Sequence, residues 1–146
     1  MAEAADRSRS GGLRAVLLGA RGSGKGTQAA FLATALGVPA ISTGAMLRDA
    51  VARGSALGSK VEGIMACGGL VDDALMAEVV RERLGRPDAA GGFLLDGYPR
   101  TTGQAAMLDS ILGERQEQLD AVLLLEVPEA VLVERAVARK RADDGE

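Results

Sequence analysis

The residues best placed to do chemistry stand in the segment GARGSGKGT, positions 19–27. Its four glycines let the backbone wrap closely round a bound group, and the spacing from Gly19 to Lys25 is that of a phosphate loop. In such a loop successive N–H groups point inward, and the following helix adds the positive end of its dipole. Lys25 supplies a compact cation for β- and γ-phosphates, and Thr27 a hydroxyl one position later than the general pattern. A second group is FLLDGYPRT, positions 93–101. An apolar run ending in Asp96 delivers a carboxylate to a sheet edge, where the water shell of a magnesium ion finds an anion. On spacing alone, a turn or a helix cap explains Asp96 equally well. Arg100 follows the stiff Tyr98-Pro99 pair, and a guanidinium binds phosphate through two parallel hydrogen bonds. A solvated surface arginine is the plainer alternative.

These groups need a scaffold that carries them to one edge. Four short aliphatic runs, residues 13–20, 38–42, 93–97 and 121–127, read as buried strands. Helical intervals at 25–36, 45–53, 72–84, 103–119 and 128–141 separate or follow them. That alternation predicts an α/β fold with a parallel sheet flanked by helices. Pro128 and Glu129 mark the start of the last helix. The longest interval, between the second and third runs, is rich in Gly and Ser and predicts a small helical excursion. Residues 85–92 read as a plain loop.

Composition narrows the function classes. The chain has 146 residues, enough for one main core, with 47% hydrophobic and 25% charged residues, so a largely disordered chain does not fit. Aromatic residues are 2% with no Trp, which disfavours single-strand nucleic-acid binding by stacking. A net charge of −3 without long basic runs disfavours nonspecific polyanion binding, so no nucleic-acid partner is expected. The absence of His and the single Cys67 exclude His-based triads, a structural zinc and an internal disulfide, and point to a reducing cytoplasm. No apolar run is long enough to span a membrane, and residues 1–12 read as a short solvated tail rather than a signal peptide.

Three separated motifs, GARGSGKGT at 19–27, STGAMLR at 42–48 and DGYPRT at 96–101, resemble those of the adenylate kinases and, more widely, the nucleoside monophosphate kinases, in order and in spacing. The resemblance runs from Leu13 to Glu146 and implies a P-loop NTPase-type sheet: a core at 13–41 and 72–139, an acceptor-binding insertion at 42–71, and the start of a short lid at 140–146. It implies an ATP site formed by Gly22, Ser23, Gly24, Lys25, Gly26 and Thr27 with Arg135 and Arg139. An AMP site would comprise Thr43, Gly44, Arg48, Leu70, Val71, Gly97, Arg100 and Gln104. Leu70 and Val71 would line the acceptor base, Gln104 would hydrogen-bond it, and Arg48 and Arg100 would hold its phosphate. Asp96 would anchor Mg²⁺ through water, and Lys25, Arg100, Arg139, Arg141 and Asp96 would form the catalytic set. Arg135 and Arg139, four apart, share one helix face; without the resemblance they read as solvated helix arginines.

The lid reading places Arg141, Asp143 and Asp144 in a compact loop, against the plainer reading of a fraying end. Arg21, Ala45 and Gly69 stand where the family commonly has Pro, Asp and Lys. The family continues past the position of Glu146 with a further Arg-bearing helix, a strand and a closing helix, so the resemblance covers roughly three-quarters of its pattern and implies a monomer for the full-length form. The reaction implied is transfer from Mg-ATP to AMP giving two ADP. The alternatives are a UMP/CMP kinase, whose members more often carry Ala and Asn at the positions of Thr43 and Gln104, and a nucleotide-binding module without turnover.

Overall fold

A computed structural model describes residues 12–20 and 22–144, with side chains through Lys140. The expected tail thus lies outside the described residues except for Gly12, and so does Arg21. Four strands, β1 (Arg14–Gly19), β2 (Ala40–Ser42), β3 (Phe93–Asp96) and β4 (Ala121–Leu125), form one parallel sheet in the order β2-β3-β1-β4. Six helices accompany them: α1 (Lys25–Leu36), α2 (Thr43–Arg53), α3 (Ala56–Ala66), α4 (Asp73–Leu84), α5 (Thr102–Glu114) and α6 (Glu129–Asp144). The α/β class expected from the sequence is the class observed.

Alternate residues along the strands divide between the two faces of the sheet. Val16, Ile41, Phe93 and Leu95 turn to one face, where they join a core with Met46, Val61, Val80, Leu108 and Ile111 of α2 to α5. Ala15, Leu17 and Leu94 turn to the other and meet Ala29 and Ala33, one turn apart on α1. Burying a Leu- or Phe-sized side chain is worth about 1.5–3 kcal/mol, so both sheet faces are pinned and the register is set. That register aligns Ser42 with Asp96, and Asp96 with Leu17. The carboxyl ends of β1, β2 and β3 therefore lie side by side.

Several element ends differ from expectation, each for a local reason. The strand read at 38–42 begins at Ala40, because Gly37 closes α1 and the Val38 N–H bonds back to Ala33 O at 3.0 Å. α2 starts two residues early, since the Ser42 hydroxyl accepts the Ala45 N–H at 3.2 Å and draws Thr43 and Gly44 into the first turn. α5 stops at Glu114, not at 119: Gln116 adopts φ 56° and the Glu117 N–H closes on Leu112 O at 2.9 Å. β4 ends at Leu125, where its partner β1 ends at Gly19. Pro128 caps α6 rather than opening it, its carbonyl accepting from Val131 N at 2.9 Å. α6 continues to Asp144, past the expected end at 141, so positions 141–144, expected in a compact loop, are helical because the last helix is not interrupted there by Gly or Pro. The loop at 85–92 contains a 3-10 turn, Pro87–Ala89, beside an Arg83–Asp88 pair with contacts of 2.8 and 2.9 Å.

The expected helical excursion is α2 with α3. Their backbones approach so closely that a Cβ on Gly58 would lie 2.0 Å from Ala50 O, so only glycine fits there. At the other end of the sheet β4 is an edge strand, with Val122, Leu123 and Leu124 exposed by 56%, 39% and 60%. Among the described residues, no helix is long and apolar enough to cross a membrane.

Candidate active site

The loop after β1 turns through the Ser23 N–H to Ala20 O bond at 3.0 Å and through left-handed Gly22 and Gly24, φ 88° and 87°. It delivers the chain into α1 with Gly24 at the cap. Helices α2, α3, α4 and α5 each have a side-chain cap, from Ser42, Ser55, Asp72 and Thr101; α1 has none and carries no acidic residue in its first turn. Its leading N–H groups and its dipole are thus left to an anion.

Lys25, the first residue of α1, lies with Nζ 2.8 Å from Asp96 Oδ1 at the end of β3, and both side chains are mostly buried. Oδ1 accepts no well-aligned hydrogen bond despite this short distance, so the contact is an ion pair without directional locking. A buried carboxylate oxygen with spare acceptor capacity beside a phosphate-loop lysine fits the hydration shell of Mg²⁺, and Asp96 is the residue that would hold it.

One residue further, Gly97 adopts φ 85° and draws three side chains together. A Cβ built there would lie 3.2 Å from Lys25 Nζ, 3.3 Å from Arg100 Nη2 and 3.7 Å from Thr43 Oγ1. The Gly97 carbonyl accepts from Arg100 Nε at 2.8 Å and from Thr43 Oγ1 at 3.3 Å. Residues from the start of α1, the start of α2 and the β3–α5 loop therefore meet within one side chain's width. From α6, Arg135 Nη1 donates to Gly22 O at 2.8 Å, and Arg139 Nη2 lies 2.8 Å from the position of a Cβ on Gly22. The two arginines share one helix face, as their spacing predicts, and that face is turned to the β1 loop.

The cleft between these groups has a volume of about 1050 Å³, and its lining includes Lys25, Thr27, Gly97, Arg100, Arg135 and Arg139. A chain of net charge −3 thus gathers four cations, Lys25, Arg100, Arg135 and Arg139, around one cleft at the end of its sheet, which suits a polyphosphate. The remaining expected residues stand nearby in different states. Arg48 folds back along α2, its Nη1 3.0 Å from a Cβ position on Gly44. Val71 is half-buried against the core, whereas Leu70 is 93% exposed and stands open to solvent. Gln104 is engaged at both ends: Oε1 accepts from Arg100 N at 2.7 Å and Nε2 donates to Asp73 Oδ1 at 2.9 Å. Asp73 was not among the expected residues. Tyr98 lies fully buried beneath this corner, and burial raises its phenol pKa above 10.0, with the Asp73 charge adding to the effect. The side chains of Arg141, Asp143 and Asp144 lie outside the described residues.

A family model described as adenylate kinase matches residues 17–145. The chain belongs to the adenylate kinase family. The adenylate kinase of Kosmotoga olearia is 54% identical over 125 residues, covering 86% of this chain and 58% of that protein. The adenylate kinase of Anaeromyxobacter sp. (strain K) is 52% identical over 125 residues with the same coverage, and adenylate kinase 1 of Synechocystis sp. is 51% identical over 131 residues, 90% of this chain and 70% of that protein. The chain thus spans 58% of the length of the first two relatives and 70% of the third, against the roughly three-quarters expected from the motifs.

Proposed function

We propose that this chain carries the phosphoryl-transfer site of an ATP:AMP phosphotransferase, which interconverts ATP plus AMP and two ADP. The observation that carries the reading is the meeting of Lys25, Arg100 and Thr43 at Gly97, because it joins an anion cradle to a neighbouring group of acceptor-side residues. ATP phosphates lie in the loop of Gly22, Ser23, Gly24, Lys25, Gly26 and Thr27, with Arg135 and Arg139 across from it. AMP lies on the insertion at 42–71, held by Thr43, Gly44, Arg48, Leu70, Val71, Gly97, Arg100 and Gln104. Asp96 would hold Mg²⁺ through water, and the ion would supply charge neutralisation to the nucleotide phosphates.

The α-phosphate oxygen of AMP is already anionic, so it attacks the γ-phosphorus in line without a general base and without a covalent enzyme intermediate. The protein positions the two nucleotides and spreads Lys25, Arg100 and Arg139 over the charge that shifts between them, with Arg141 proposed alongside. The reaction is placed in the cytoplasm, a reading supported by the single cysteine, with a monomer as the full-length form and neither nucleic acid nor membrane as partner.

The test is ADP formation from Mg-ATP with AMP, UMP or CMP as acceptor. AMP is expected to exceed the pyrimidine nucleotides by at least roughly a hundredfold in kcat/KM, since a site built to hydrogen-bond one base rejects another strongly. Comparable rates with CMP would move the assignment to the pyrimidine kinases, and ATP binding without any ADP formation would assign a nucleotide-binding module. Lys25→Met is expected to abolish transfer while keeping the circular dichroism of the parent; more than a tenth of parental turnover in that variant contradicts the role given to Lys25.

A further inference from the structure

We infer that Asp73 sets which nucleobase the acceptor site prefers, by fixing the orientation of the Gln104 side-chain amide. The inference rests on the acceptor site proposed above and assigns it a specificity residue. Asp73 is the first residue of α4, but Asp72 already caps that helix, its Oδ1 accepting from Leu75 N at 2.8 Å. The Asp73 carboxylate instead crosses to α5. Oδ1 accepts from Gln104 Nε2 at 2.9 Å, and Oδ2 lies 3.9 Å from the position of a Cβ on Gly103, against the first turn of α5. At the other end of the amide, Gln104 Oε1 accepts from Arg100 N at 2.7 Å.

These two partners have opposite and fixed polarity: a carboxylate only accepts and a backbone N–H only donates. Turning the amide over would set Oε1 against a carboxylate oxygen and the NH₂ group against the Arg100 N–H, losing both bonds to like polarity at once. The orientation is therefore specified twice. What remains free on Gln104 is one N–H of Nε2 and one lone pair of Oε1, in a fixed order. The six-membered edge of adenine offers a donor at N6 and an acceptor at N1. Hypoxanthine reverses them, with an acceptor at O6 and a donor at N1. An amide held in one orientation distinguishes the two bases; an amide free to turn accepts either. Asp73 is thus a positioning residue, acting on the base through Gln104.

The test measures equilibrium binding of AMP and of IMP by calorimetry to the chain as it stands, to Asp73→Asn, to Gln104→Leu and to the double variant. The parent is expected to prefer AMP. Asn at 73 can donate as well as accept, so Asp73→Asn is expected to lower the AMP:IMP affinity ratio by roughly tenfold or more, mainly through weaker AMP binding. In the Gln104→Leu background the same change is expected to leave the ratio where it was. Asp73→Glu, which keeps an acceptor-only group, is expected to restore much of the preference. An unchanged ratio in Asp73→Asn overturns the inference, as does an equal loss for both nucleotides or an equal shift in the Gln104→Leu background. A parent that binds IMP as well as AMP, or binds neither, overturns the acceptor reading itself. Circular dichroism and melting of each variant separate these outcomes from loss of fold.

Discussion

Replacing Gly97 with alanine tests whether the convergence at this residue does what its geometry implies. Two effects add. The backbone sits at φ 85°, where a Cβ meets the local carbonyl, and holding a residue with a side chain there costs about 1–2 kcal/mol. The new methyl would also stand 3.2 Å from Lys25 Nζ and 3.3 Å from Arg100 Nη2. Both are far ends of flexible side chains, so the crowding is relieved by a few tenths of an ångström of movement rather than by a break in the fold. That movement shifts the two cations within the cleft, and charge-assisted hydrogen bonds lose strength with misalignment. Gly97→Ala is therefore expected to lower Tm by about 3–8 °C and to weaken AMP binding roughly tenfold, with a smaller effect on ATP. Gly63→Ala is the control. Gly63 lies inside α3 with nothing within 4 Å of its Cβ position, so alanine there is expected to raise stability by about 0.5–1 kcal/mol. Thermal melting and nucleotide calorimetry read both variants. If Gly97→Ala melted with its parent and bound AMP equally well, the steric argument and the role of the junction would both be refuted.

Two further outcomes follow from other parts of the structure. Asp49 and Asp88 are held below the ordinary carboxylate value of 3.8, chiefly by side-chain hydrogen bonds from Arg86 and Arg83 respectively. A depressed carboxylate adds stability above 3.8 and loses it as pH falls through its folded value, so Tm is expected to drop below about pH 4, by a small step because both groups are substantially exposed. The Asp49→Asn, Asp88→Asn double variant is expected to descend less steeply there, and parallel melting-versus-pH curves would refute the assignment. The β4 edge, apolar at Val122, Leu123 and Leu124, is expected to drive concentration-dependent self-association in gel filtration, and Val122→Lys to reduce it; a parent that elutes as a monomer at every concentration contradicts this.

The fold was legible because its signals are local. A strand such as Arg14–Gly19 is an aliphatic run that Gly ends, and α1 is bounded by Gly24 and Gly37, so class and element order follow from short windows. The ends that shifted are those where a cap or helix closure reaches across the boundary, as Ser42 does for α2 and Glu117 for α5. The motif residues Lys25, Thr43, Asp96, Gly97 and Arg100 could also be picked out singly, but no window of sequence contains their meeting. It depends on the register that sets Ser42 beside Asp96 and Asp96 beside Leu17, and on helices whose buried faces hold that register.

Asp73 shows the limit most clearly. Asp72 and Asp73 are adjacent acids at a helix start, and either one reads as a cap. Only the packing of α4 against α5 decides that Asp72 closes its own helix while Asp73 reaches Gln104, 31 positions away. A residue that acts on a ligand through another side chain leaves no motif of its own. What could mark it is a physical surplus: α4 has one more acid at its first turn than its cap requires, and the spare carboxylate meets the free donor of an amide whose acceptor is already taken by Arg100 N.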